Sequence, residues 1–170
     1  LLGSACVAAL LARGDRVVAL VRDRRPASRL YRAPPGGRAM ADRVIEVRAG
    51  FEAAARLVDQ YLPDAVLHLG AQTQVPVALR DPAGTFEANI RGTWQVLEAC
   101  RRAAKPPEAV LVASSDKAYG QAPPPYREET PLDPVGPYEV SKAAADWIAR
   151  CYALRYDVPV VTTRCGNLYG

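Results

Sequence analysis

Apolar residues in this chain fall into two patterns that alternate from end to end. Short runs rich in Val, Ala and Leu read as buried strands. Between them apolar residues recur every three or four positions, the period of an amphipathic helix. The spacing predicts a helix over Ser4 to Arg13, stopped by Gly14 in the C′ position. Val17 to Val21 reads as a strand. Asp23 to Ala41 is polar, holds Pro26, Pro34, Pro35, Gly36 and Gly37, and reads as a loop. Val44 to Val47 is a second strand, and Glu52 to Tyr61 a helix closed by Pro63. Ala65 to Leu69 is a third strand. Pro82 to Arg102 carries a long helical pattern, with Ile90, Trp94, Leu97 and Cys100 on one side. Ala109 to Ala113 is a fourth strand, Gln121 to Pro137 a Pro-rich loop, Tyr138 to Tyr156 a helix and Val158 to Thr163 a fifth strand.

Strand and helix in alternation, with continuously apolar strands, define an α/β chain whose parallel sheet is covered on both faces. Crossovers should be right-handed. Ligands of such sheets bind beyond the carboxyl ends of the strands. The polar clusters fall there: Arg22-Asp23, His68 to Gln74, Ser114 to Lys117, and Arg164 to Gly170. No internal repeat is present, and no linker divides the 170 residues, so one domain is expected.

Composition narrows the function. Hydrophobic residues make up 49% and charged residues 24%, ordinary for a globular protein. The net charge of +4 comes with scattered Arg and only Lys105, Lys117 and Lys142. No basic run is interleaved with aromatics, so nucleic acid is not the expected partner. Cys6, Cys100, Cys151 and Cys165 lack Cys-x-x-Cys spacing and read as free thiols of a cytoplasmic protein. His68 is the only histidine, which excludes a multi-His metal site, and no metal is expected. No stretch is apolar for long enough to span a membrane. Leu1 to Leu11 lacks the basic leader of a signal peptide, and there is no initiator Met.

Tyr138 and Lys142 stand at i and i+4 and so share a helical face. An ammonium there can lower the phenol's pKa and make it a base near neutrality. Ser115, at the end of the fourth strand, can hydrogen-bond the same substrate oxygen. Together they form a kit for taking a proton off an alcohol whose carbon loses hydride. The plainer reading of the pair is an amphipathic helix with a solvated lysine. For Asp116-Lys117 it is a surface ion pair or loop cap, and for Asn167 a turn residue. For His68 a hydrogen-bonded strand-end histidine is favoured over proton transfer.

Taken together the clusters resemble the extended short-chain dehydrogenase/reductase family, in particular its nucleotide-sugar epimerases and dehydratases. Leu1-Leu2-Gly3-Ser4 resembles the end of the family's Gly-x-x-Gly-x-x-Gly loop. His68-Leu69-Gly70-Ala71-Gln72 resembles its His-x-Ala-Ala segment, and Asn89-Ile90-Arg91-Gly92-Thr93 its Asn-x-x-Gly-Thr segment. Tyr138-Glu139-Val140-Ser141-Lys142 matches Tyr-x-x-x-Lys. Arg164-Cys165-Gly166-Asn167-Leu168-Tyr169-Gly170 resembles Arg-x-x-Asn-x-Tyr-Gly.

The resemblance implies a Rossmann-like doubly wound sheet lacking its first strand and its C-terminal substrate lobe, an internal fragment expected to be inactive alone. It implies NAD or NADP as cofactor, a nucleotide-diphosphate sugar as substrate, and a homodimer when full-length. The cofactor residues it points to are Gly3, Arg22, Asp23, Leu69, Gly70, Ala71, Gln72, Tyr138 and Lys142; Thr73, Ser115 and Asn167 fall to the substrate. Gly3 is expected to let helix and sheet pack closely. Val21 stands where an acidic residue would favour NAD, so either Asp23 reaches the ribose, or Arg22, with Arg24 or Arg25, meets a 2′-phosphate. Val47-Arg48-Ala49-Gly50 replaces an expected Gly-Asp.

The Ser-Asp-Lys-x-Tyr run resembles the CDP-glucose 4,6-dehydratase branch, with GDP-mannose 4,6-dehydratases also similar. The implied roles are Tyr138 as base at the sugar 4-hydroxyl, Lys142 as its electrostatic support, and Ser115 as hydrogen-bond partner of the 4-oxygen. Asp116 is the acid for the departing 6-hydroxyl. Lys117 is either the base at carbon 5, made partly neutral by burial, or a stabiliser of the enolate. The alternatives are a nucleotide-sugar 4-epimerase and, in another class, a non-catalytic cofactor-sensing or interaction domain.

Overall fold

The computed structural model describes residues 2–168; Leu1, Tyr169 and Gly170, which belong to two of the motifs, lie outside the described residues. The chain forms two compact units, one running up to Ala53 and including Leu168, the other Ala54–Asn167.

The first unit begins with α1 (Leu2–Arg13), built on Ala and Leu and ended as its glycine requires. Gly14 takes φ +87°, and the amides of Gly14 and Asp15 return to the carbonyls of Leu11 and Leu10. That is a Schellman closure, which a residue with a Cβ would strain. Strands β1 (Val18–Leu20) and β2 (Ile45–Val47) pair in parallel, Val18 opposite Ile45. The segment between them is a loop as expected, except for a 3-10 turn at Met40–Arg43. Buried Leu30 anchors it, and its carbonyl accepts from the Ala41 amide at 2.8 Å.

The second unit contains α2 (Ala54–Tyr61), β3 (Ala65–His68), α3 (Val75–Arg80), α4 (Pro82–Phe86), α5 (Gly92–Arg102), β4 (Ala109–Ala113), α6 (Pro137–Tyr156) and β5 (Val160–Thr163). The strands form a parallel sheet in the order β3-β4-β5. Helices α5 and α6 pack on one face of it, where Val110 and Val112 are fully enclosed. Leu67, Leu111 and Val161 line up across the three strands on the other face. There Leu67 is 40% and Val161 62% exposed, so the two-sided cover expected of the sheet is present on one side.

The predicted helix over Pro82 to Arg102 is divided by a π-helical turn at Glu87–Arg91. One inserted residue turns the following face by about 100°. Asn89, Thr93, Leu97 and Cys100 are therefore buried, whereas Trp94, expected on the inner side, faces out. α3 has no counterpart in the sequence reading; Pro76 in its first turn starts it rather than breaking it.

Candidate active site

The carboxyl end of β4 supplies the first group of residues. Ser115 N-caps a 3-10 turn at Asp116–Tyr119: its Oγ accepts from the Lys117 amide at 3.2 Å and donates to Asp116 Oδ1 at 3.1 Å. The Asp116 amide donates to the Cys165 carbonyl at 3.0 Å, joining this turn to the segment after β5. Tyr119 ends the turn, and Gly120 follows at φ +57°. A Cβ at Gly120 would overlap the Asp133 carbonyl, so only glycine fits there.

α6 supplies the second group. Pro137 occupies its first turn, and the Glu139 carboxylate reaches back to the amides of Val135 and Gly136 at 3.1 and 2.9 Å. Tyr138 is thus fixed in the first turn, with Lys142 one turn on; they are only 8% and 6% exposed. The Ser114 hydroxyl donates to the Lys142 carbonyl at 3.3 Å, which ties α6 to β4.

Electrostatics around this pair depart from the expectation. Burial lowers the Lys142 pKa to about 8, and its ammonium donates to the Ala113 carbonyl at 2.8 Å. The Tyr138 pKa is raised, first by burial and then by the Asp116 carboxylate; the Ser115 hydrogen bond and the Lys117 charge oppose the rise. Lys142 is not among the groups that lower it.

Lys117 also departs from expectation. Its side chain is 53% exposed and lies 3.7 Å from Asp116 Oδ2. The burial expected of it is not seen among the described residues.

Asn89, turned inward by the π segment, is the organiser that sequence reading did not single out. Its amide accepts from the Gln72 amide at 2.7 Å and donates to the Gln72 carbonyl and to Ser141 Oγ, each at 2.9 Å. Ser141 in turn donates to the Tyr138 carbonyl at 2.7 Å. One buried side chain thereby connects the loop after β3 (Leu69, Gly70, Ala71, Gln72) to the helix of Tyr138. Its signal was the Asn-x-x-Gly-Thr segment itself. Thr93 of that segment donates to the Asn89 carbonyl at 2.6 Å and stands 3.1 Å from His68 Nε2. His68 is the buried, hydrogen-bonded strand-end histidine favoured above; burial first, then the Lys142 charge, pushes its pKa down to about 4.

Arg164 is a second organiser. Its guanidinium forks onto buried Asp146 of α6 at 2.7 and 3.3 Å and donates to Tyr119 Oη at 3.0 Å and the Glu128 carbonyl at 2.9 Å. It thus clamps the turn bearing Ser115, the helix bearing Tyr138 and the loop between them. Thr73 and Asn167 are exposed, and Gly166 brings the chain to within van der Waals reach of the Asp116 carboxylate.

Gly3, Arg22 and Asp23 lie in the first unit. Gly3 is exposed in the first turn of α1, and a Cβ there would meet nothing within 4 Å among the described residues; the close packing expected of it is not seen. Arg22 pairs with its neighbour Asp23, Nε to Oδ2 2.8 Å, as an exposed ion pair. Among the described residues no cluster of His, Cys, Asp and Glu suits a metal ion, and no helix is long and apolar enough to cross a membrane.

The family model for the NAD dependent epimerase/dehydratase family matches residues 1–170, and the chain belongs to that family. It is similar to dTDP-glucose 4,6-dehydratase of Mycolicibacterium smegmatis, 37% identical over 136 residues, 77% of this chain and 40% of the relative. The same enzyme of Salmonella typhimurium is 34% identical over 133 residues, 68% of this chain and 37% of the relative. Among solved structures, the UDP-glucose 4-epimerase of Thermus thermophilus in complex with NAD superposes with TM-score 0.80 and 32% identity, over 100% of this chain and 53% of that one. The chain thus spans roughly two-fifths of the length of these curated relatives, 40% and 37%.

Proposed function

We propose that the full-length protein is a nicotinamide-dependent nucleotide-sugar 4,6-dehydratase. The observation that carries this reading is the single 3-10 turn that holds Ser115, Asp116 and Lys117 against Tyr138. Oxidation alone needs only Ser115, Tyr138 and Lys142. An acid with a cation beside it, next to the same phenol, suits the loss of water that follows. The similarity to two dTDP-glucose 4,6-dehydratases supports the same assignment.

The residues fit a nicotinamide dinucleotide. The loop 69–72 is fixed by Asn89 through Gln72, and the Lys142 ammonium keeps two donors beyond its bond to Ala113, enough for ribose hydroxyls. When bound, that cofactor accepts hydride from sugar carbon 4 and later returns it to carbon 6. Tyr138 takes the proton of the 4-hydroxyl, its anionic form favoured by the Ser115 hydrogen bond and the Lys117 charge. Ser115 then hydrogen-bonds the 4-ketone, which acidifies carbon 5. The carbon-5 proton passes to the Asp116 carboxylate, which hands it to the departing 6-hydroxyl as water leaves, while the Lys117 charge stabilises the enolate formed between the two transfers. Thr73 and Asn167, exposed near this turn's end of the sheet, contact the sugar nucleotide.

A second reading is a nucleotide-sugar 4-epimerase. The similarity to an NAD-bound UDP-glucose 4-epimerase favours it, since that chemistry needs only Tyr138, Lys142 and Ser115. Product analysis decides: mass spectrometry of the product of CDP-glucose, GDP-mannose and dTDP-glucose should show loss of one water. A product of unchanged mass with inverted carbon 4 would establish the epimerase. The homodimer expected for the full-length enzyme would use the outer faces of α5 and α6, where Trp94, Trp147, Leu154 and Tyr156 are exposed.

A further inference from the structure

Tyr138, Lys142 and Asp146 follow one another at helical intervals along α6, and all three are buried. They share one face of the helix. The first two belong to the chemistry above. Asp146, a carboxylate only 5% exposed, does not, and its partner is Arg164. Four of the five N–H groups of that guanidinium are committed: two to Asp146, one to Tyr119 Oη and one to the Glu128 carbonyl. A cation so occupied has little to offer a ligand.

The backbone on either side of Arg164 is committed as well. The Thr163 carbonyl accepts from the Ser114 amide at 2.9 Å, and the Cys165 carbonyl from the Asp116 amide at 3.0 Å. Arg164 therefore stands between the two carbonyls that hold the neighbours of Ser115. From there its side chain crosses to α6, about two turns beyond Tyr138. Through Tyr119 it also holds the far end of the 3-10 turn that Ser115 begins. The Tyr119 hydroxyl carries the tie on to the Arg127 carbonyl at 2.8 Å. Of the bonds that join the end of β4 to α6 directly, one is the 3.3 Å contact from Ser114. Another comes from the Lys142 ammonium, a group that the chemistry itself uses. The Arg164 brace lies outside the reacting atoms.

We propose that Arg164 is a positioning residue for the oxidation at carbon 4: braced on Asp146 and Tyr119, it holds the Ser115 hydroxyl against the Tyr138 phenol and touches neither substrate nor cofactor. This rests on the reading of the protein as a nicotinamide-dependent sugar-nucleotide enzyme, and only on its first step, which dehydratase and epimerase share. The Ser115 hydrogen bond and the Lys117 charge are the two influences that lower the Tyr138 pKa, against burial and the Asp116 carboxylate, which raise it. With the brace loosened, the turn is free to drift from the phenol. The anionic base is then held less well, while the groups that bind substrate and cofactor stay as they were. An ammonium has three donors and cannot keep all four bonds of the guanidinium, so lysine is no substitute here.

Arg164→Ala would strand the buried Asp146 carboxylate, so the variants to use in the full-length enzyme are Arg164→Lys and Tyr119→Phe. The first keeps a cation on Asp146 and the second removes only a hydroxyl; melting temperatures check that both fold. Steady-state kinetics are measured across pH with whichever of CDP-glucose, GDP-mannose and dTDP-glucose the unaltered enzyme turns over. In Arg164→Lys, kcat near neutrality should fall roughly 10- to 100-fold, with KM and dinucleotide affinity kept within about threefold. The acid limb of the kcat profile should move to higher pH, so that the deficit narrows as pH rises. Tyr119→Phe should change both in the same direction and by less. A kcat within about threefold of the unaltered enzyme at every pH overturns the proposal and leaves the dehydratase reading intact. So does a deficit that is the same at every pH, or a raised KM at unchanged kcat. An unaltered enzyme that turns over none of the three sugar nucleotides overturns that reading, and the proposal with it.

Discussion

The candidate active site has an inner and an outer half, and they are tuned by opposite means. The inner half is Tyr138, Lys142, Ser141, Asn89 and His68, all buried. There, desolvation is the leading cause of each resolved shift, and it pushes every group toward its neutral form: Tyr138 up, Lys142 to about 8, His68 to about 4. The outer half is Asp116, Lys117 and Asn167, where side chains remain open to water, Asp116 at 30% exposure, and Asp116 and Lys117 face each other. An inner half whose cation is the Lys142 ammonium can gain or lose a proton at Tyr138. An exterior pair of opposite charge can serve a leaving group without paying for deep burial. The division matches a reaction whose oxidation must be dry and whose elimination must release water.

The sharpest way to break the comparison is Tyr138→Phe, which removes the one proton the inner half exists to move. In the full-length enzyme kcat should fall roughly 10³-fold with dinucleotide affinity little changed, read by steady-state kinetics and titration. Near-normal turnover would refute the assignment of the base.

The inner half should also show in stability. His68 has a folded pKa of about 4 against 6.5 for the free side chain. Between those values the unfolded state binds more protons, so stability rises with pH through this window and is lost as pH falls from 6.5 to 4. The loss should amount to something on the order of 3 kcal/mol. His68→Gln should flatten that part of a denaturation-versus-pH profile; an unchanged slope would mean that the imidazole is not desolvated.

For the outer half, Asp116→Asn should slow elimination roughly 10²-fold while leaving the first oxidation possible. Reduced nicotinamide should then accumulate in single-turnover absorbance traces. Formation of 4-keto-6-deoxy product at the normal rate would reduce Asp116 to a structural cap. Lys117→Gln should have the smallest effect, a loss of about tenfold or less in kcat, because a half-exposed charge is screened by water. A loss as large as that of Tyr138→Phe would restore Lys117 as the base.

Much of this architecture was legible in the sequence. The five strands and the helices α1, α2, α5 and α6 follow from apolar runs and from Gly14, Pro63 and Pro137, where propensity and tertiary packing agree. The order of Ser115, Tyr138 and Lys142 along strand end and helix face was equally plain. What stayed hidden depends on contacts distant in sequence. The π turn at Glu87–Arg91 leaves no mark in composition, yet it decides that Asn89 points inward and Trp94 outward. The direction of the Tyr138 shift could not be read from an i, i+4 spacing, because its leading cause is burial in the folded chain.

The contact of Gly120 with Asp133 has a bearing on how this site can diversify. It pinches the Pro-rich segment at its neck, so that the residues between form an Ω-loop whose two ends are held irrespective of its contents. Lengthening a loop of fixed ends adds little closure entropy. Insertions and substitutions at the tip, around Pro123 to Pro125, should therefore be absorbed without moving Ser115 or Tyr138, whereas Tyr126 is stacked on Tyr119 at 4.5 Å between ring centroids. A held neck and an open tip make this the segment of the described residues whose length can change at least cost to the turn of Ser115 and the helix of Tyr138.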